Sequence, residues 1–308
     1  MNRVKRVLAH PAIKIAYFAL LVGATAFYLY RWGDRLPKLA SRVQPLWVLA
    51  ALAATVLAGL VYSLIQHRIY RRLGAEVTYW TVFRIVTISQ LGKYLPGKVL
   101  FAGNYYLLSR AAGIGNAQIG ASFVVSQAMW LLTASLCGLP VLALLDPALR
   151  YTVLLFPLAL LALVHPRVLG GLLRLGQRLV GRAGNEPPPL PEGLTPEFYP
   201  WIAFLYLVNW ALAGLGAWFS LRAFGPLGLD VFPLILASLS LGTAAGFVAL
   251  FAPAGLGIRE GLGTLILAPA VGADLALLGL VLSRGVTVVV DLGLALLSMA
   301  LGARRQTF

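Results

Sequence analysis

Apolar residues run along this chain in long stretches separated by short charged segments. Six stretches are of a length that fits a bilayer crossing: 12–30, 45–66, 117–138, 149–164, 200–222 and 274–301. A spanning helix needs about 20 apolar residues, so the short fourth stretch relies on bilayer thinning or flanking residues. Two further apolar stretches are interrupted, 79–112 at "LPGK" and 231–271 at "APAGLG". Proline removes a helix hydrogen bond and glycine tolerates turn geometry. Each of the two therefore reads as a pair of half-helices meeting at a turn within the membrane. Irregular backbone survives there only where protein buries it or where it lines a wet cavity. The pattern predicts an all-α polytopic membrane protein with about six transmembrane helices and two re-entrant half-helix hairpins.

Charge sets an orientation for that arrangement. With a cytoplasmic N-terminus, the cytoplasmic segments hold Arg3, Lys5, Arg6, Arg68, Arg71, Arg72, Arg110, Arg167, Arg174, Arg178, Arg182, Arg304 and Arg305. The outer segments hold Arg31, Arg35, Lys38, Arg42 and Arg150. That excess places both termini inside, in a cell (inner) membrane. The first hairpin then dips from the cytoplasmic side and the second from outside, an inverted repeat with halves 1–164 and 200–308. Between them, 165–199 reads as a cytoplasmic segment, with "RVLGGLLRLGQRLVGR" a basic amphipathic surface helix and "NEPPPLPEGLTPE" an extended linker. The whole of 1–308 forms one membrane domain.

Composition removes the main alternatives. Hydrophobic residues make up 60% of the 308 and charged residues 11%, too apolar for a soluble surface. The formal net charge of +15 reads as topology signal and contact with anionic headgroups, not as nucleic-acid binding. One cysteine, Cys137, forms no disulfide framework. His10, His67 and His165 have no ligand-like spacing, so neither a metal nor another cofactor is expected. "GKYLPGKV", from Gly92 to Val99, completes G-x-x-x-x-G-K but carries Val99 where a nucleotide loop needs a hydroxyl for Mg²⁺. Its flanks are membrane-like, so the motif reads as a turn.

The chemistry that remains lies at the two turns. A helix starting near Lys98 and another near Ile258 each present free N–H groups and a partial positive charge. Lys98 and Arg259 stand at those helix starts, Lys93 just before the first turn, and Gly97 and Gly257 within the turns. Together with Glu260 these form the expected substrate site, suited to a phosphate-bearing headgroup. A charge near the bilayer centre costs about 2.5–3.5 kcal/mol on insertion scales, which makes each a functional candidate. Glu260 has a second reading, a staple that neutralises Lys98 or Arg259. Arg284 and Asp291, two helical turns apart, share one face of the last span. They read either as ion-pair partners of other helices or as coupling groups. Gln127 and Asn209, mid-span amides, read as bonds to neighbouring helices.

"LGKYLPGKV" with Arg110 downstream, and "PAGLGIREG" near the C-terminal end, resemble the lysylphosphatidylglycerol synthase transmembrane region. This is the flippase-like membrane domain of the multiple peptide resistance factors. The resemblance covers most of the chain and implies movement of a lipid or lipid-linked substrate. Because "ARRQTF" directly follows the last span, the soluble synthase domain is expected to be absent and lysyl transfer with it. The resulting expectation is a translocator, not an enzyme, that binds membrane lipids, chiefly anionic phospholipid, in a mid-membrane polar cavity. A partner enzyme or a homo-oligomer is compatible with it. The alternative is a non-transporting scaffold that recruits lipid-modifying or glycosyl-transferring enzymes.

Overall fold

The computed structural model describes residues 43–94, 99–144, 171, 197–249, 255 and 257–303. Among these residues the fold is all-α, with no strand. Eight helices follow in order: α1 Pro45–Arg72, α2 Tyr79–Leu91, α3 Val99–Ala111, α4 Asn116–Cys137, α5 Phe198–Arg222, α6 Phe232–Val248, α7 Ile258–Val271 and α8 Ala273–Ala303. Four of them, α1, α4, α5 and α8, are long and apolar enough to cross a membrane. They coincide with four of the six expected spans. The other two, 12–30 and 149–164, lie outside the described residues, as does nearly all of 165–199.

The long helices start and stop where local chemistry dictates. Pro45 opens α1 at its first position, where the missing N–H costs nothing. Arg71 and Arg72 close it, favourable at the negative end of the helix dipole. Small residues let the helices approach closely. A Cβ on Gly216 of α5 would lie 2.7 Å from the Thr55 hydroxyl of α1. In lipid, where apolar surface alone gives little drive, such close backbone packing holds helices together.

Each broken stretch is a pair of short helices in contact with one another. Thr78 caps α2 by accepting from the Thr81 N–H. The helix then tightens into a 3-10 turn over Gly92–Tyr94. Gly92 belongs there because a Cβ would come within 2.5 Å of the Phe101 backbone nitrogen. In the second pair, Gly255 has φ +71 and packs on Gly246, where a Cβ would meet the Gly246 Cα at 2.7 Å. Gly257 has φ +79 and caps α7. Helix α8 lies against α1, α2, α5 and α7, so both short pairs and two long helices share it as a wall. Hydrogen bonds across these contacts satisfy polar groups that lipid cannot, as between Thr87 of α2 and Ser298 of α8 at 3.0 Å.

Candidate functional site

A cavity of about 270 Å³ lies among the helices, and all eight contribute to its wall. Three cations reach it: Lys93 from the 3-10 turn, Arg259 from the first turn of α7, and Arg284 from α8. Asp291 lines it as well, and Glu260 stands behind Arg284. The Lys93 Nζ lies 2.7 Å from Asp291 Oδ2. The Tyr94 hydroxyl donates to that same carboxylate at 2.6 Å. Arg284 donates to Glu260 Oε1 at 2.8 Å, and the other oxygen of Glu260 accepts from the Gly257 N–H at 2.8 Å. Glu260 is buried, and its carboxylate both caps α7 and ties it to α8.

This places the sequence-derived candidates differently from one another. Lys93, Arg259, Arg284 and Asp291 come together at one cavity. Glu260 turns to Arg284, where the sequence reading had it opposite Lys98 or Arg259. The geometric reason is the capping position: the third residue of a helix reaches back to its cap, and there the described cation within ion-pairing distance is Arg284 of α8. The N–H of Gly257 is taken by that carboxylate. Arg284 and Asp291 share α8 but serve separate partners, one in each short helix pair. Gly97 and Lys98 lie outside the described residues. Asn209 donates to the Ala58 carbonyl at 2.6 Å, a bond between helices, and also lines the cavity with Gln127.

Charge counting decides what the cavity is suited to. Two carboxylates meet three cations, and the two ion pairs engage Lys93 and Arg284. Among the described residues, Arg259 is left without an ion-pair partner. It lies close enough to Tyr94, Arg284, Glu260 and Asp291 to interact electrostatically with them. Counted over the described residues, its site has one positive charge in excess, beside the N-terminus of α7, whose dipole adds to it.

A model of the lysylphosphatidylglycerol synthase TM region matches residues 12–295. The chain belongs to this family. No curated protein matches it. Membership in the lysylphosphatidylglycerol synthase TM region family makes it a multi-pass membrane protein with a lipid-related function, consistent with the four span-length helices. The described residues of the quoted motifs, Arg259 among them, fall in or beside the two short helix pairs of this family domain.

One part of the family domain was not anticipated from the sequence. Gln66 of α1 donates to the Ser126 hydroxyl and to the Tyr206 hydroxyl at 3.3 Å. Its carbonyl accepts from Tyr105 at 3.3 Å, and Tyr105 also bonds Ser122 at 3.1 Å. All five side chains are buried and join α1, α3, α4 and α5. The available signal was spacing: Tyr62, Gln66 and Tyr70 recur every four residues, as do Ser122 and Ser126, so each set lines one helix face.

Proposed function

We propose that the protein is a lipid translocator that takes an anionic phospholipid-type headgroup into this cavity while the acyl tails stay in the bilayer. The observation that carries the reading is Arg259, a cation without an ion-pair partner among the described residues, facing a cavity within the membrane domain. An unpaired charge there is costly. A lipid phosphate would satisfy it, as a doubly hydrogen-bonding partner suited to a guanidinium. Lys98, which lies outside the described residues, is expected from its place in the sequence to contribute to the same phosphate. The protein acts by binding and release, without a chemical step of its own.

The same proposal includes the arrangement of the chain in a cell membrane. The two short helix pairs are re-entrant hairpins of an inverted repeat, and both termini face the cytoplasm. This puts the 112–115 connection between α3 and α4 inside. A single cysteine at Gly115, in a Cys137→Ala background, is expected to resist an impermeant reagent applied outside. Labelling from the outer face would instead require α2 and α3 to cross as one kinked span.

Transport is tested in sealed liposomes carrying head-labelled phosphatidylglycerol. Without protein, an impermeant quencher reaches only the outer-leaflet label. With the purified protein, quenching is expected to extend to the inner pool. Quenching that stays at the protein-free level, with lipid binding intact, would favour the scaffold reading.

A further inference from the structure

Helix α6 meets the start of α7 along an antiparallel seam of small residues. Gly246 faces Gly255, Gly242 faces Arg259, and Ser238 faces Gly263. The positions recur every four residues on both sides, the spacing of a single helix face. The approach is close. A Cβ on Gly242 would lie 2.8 Å from the Arg259 carbonyl oxygen, and one on Gly246 would lie 3.0 Å from the Gly255 Cα. At the third pair the Ser238 hydroxyl donates to the Gly263 carbonyl at 3.2 Å.

Of these six residues only Arg259 carries a long side chain. A backbone seated this closely on α6 leaves no room for that side chain within the seam. It leaves past Gly246, which lines the cavity together with Arg259. A Cβ on Gly246 would already touch the Arg259 Cβ at 3.6 Å, so a larger group there would meet the arginine stem at its exit. Among the described residues no carboxylate pairs with Arg259. Its seat on α6 does what a counter-ion does for Lys93 and Arg284: it fixes where the charge stands. A guanidinium grips two oxygens only in a narrow geometry, so a small displacement of its stem weakens the grip.

Resting on the reading of Arg259 as the phosphate site, we propose that Gly242 and Gly246 of α6 are positioning residues for it. Gly242 sets how closely the first turn of α7 sits on α6. Gly246 keeps open the path of the guanidinium into the cavity. Both act through Arg259 and not on the lipid itself.

The test is the affinity of the purified full chain in nanodiscs for a fluorescent phosphatidylglycerol. Gly242→Ala, Gly246→Ala and Gly263→Ala are measured alone and combined with Arg259→Gln. Gly263→Ala is the control for disturbed packing: its Cβ would lie 2.7 Å from Leu280 Cδ1 and 3.1 Å from the Ser238 hydroxyl, one turn along α7 from Arg259. Gly242→Ala and Gly246→Ala are each expected to weaken binding about threefold, part of the roughly tenfold loss expected for Arg259→Gln. Gly263→Ala should leave affinity unchanged. In the Arg259→Gln background the two glycine variants should cause no further loss, because changes that act through one group do not add. Full affinity in both glycine variants, equal losses in both backgrounds, or an equal loss in Gly263→Ala would overturn the positioning role and leave the phosphate site standing. Arg259→Gln binding phosphatidylglycerol as tightly as the wild type would remove the phosphate site and this proposal with it. Should Gly242→Ala not fold, Gly246→Ala decides alone, since its nearest contact is the looser one at 3.0 Å.

Discussion

Glu260→Gln and Arg284→Met are each expected to lose about 3–5 kcal/mol of stability, the cost of stranding one member of a buried ion pair. The pair spans α7 and α8 at 2.8 Å, with both side chains largely buried. Glu260 carries two duties, because its second oxygen accepts from the Gly257 N–H. Glutamine retains that cap in part but leaves the guanidinium without its carboxylate. The double variant Glu260→Gln with Arg284→Met should lose less than the two single losses combined, because both remove the same interaction. The exchanged pair, Glu260→Arg with Arg284→Glu, should be worse than the double neutral variant. It puts a cation at the positive end of the α7 dipole. Thermal unfolding followed by size-exclusion in detergent measures all four. Single variants as stable as the wild type, or strictly additive losses, would show that the pair contributes little to the fold.

Hydropathy carried most of the fold to the surface of the sequence. The four span-length helices match expected runs closely because a bilayer demands long apolar stretches, and a run of that length has little choice but helix. The breaks at Gly92–Val99 and around Gly255 were equally visible, since proline and glycine change the backbone whatever surrounds them. Helix α1 runs six residues past its expected end, through His67 to Arg72. Its arginines sit beyond the apolar run, yet helix propensity and the dipole favour their inclusion. Partners were much less legible. That Glu260 meets Arg284, 24 residues away, follows from how α7 packs on α8, and nothing in the local sequence encodes that angle. The Gln66 network escaped for another reason. A reading that ranks membrane residues by charge passes over amides and hydroxyls, which are cheap enough to occur as simple helix-to-helix bonds.

Arg259 carries the functional reading, and its variants have the largest expected effect on lipid binding. Among the described residues the cavity cluster holds one surplus positive charge, which Arg259→Gln removes and Arg259→Glu reverses. A group in a partly dehydrated cavity feels charge far more strongly than one in water. Phosphatidylglycerol affinity is therefore expected to fall about tenfold with glutamine, equivalent to about 1.4 kcal/mol, and further with glutamate. Arg259→Lys should recover part of the loss, since it restores the charge but not the planar fork that grips two oxygens. Stability should change little, because Arg259 has no ion pair to lose among the described residues. The decisive measurement is phosphatidylglycerol affinity of the wild type and these three variants, with each protein shown to be folded. The account predicts the order wild type, lysine, glutamine, glutamate, from tightest to weakest. Folded variants that all bind phosphatidylglycerol as the wild type does would contradict it.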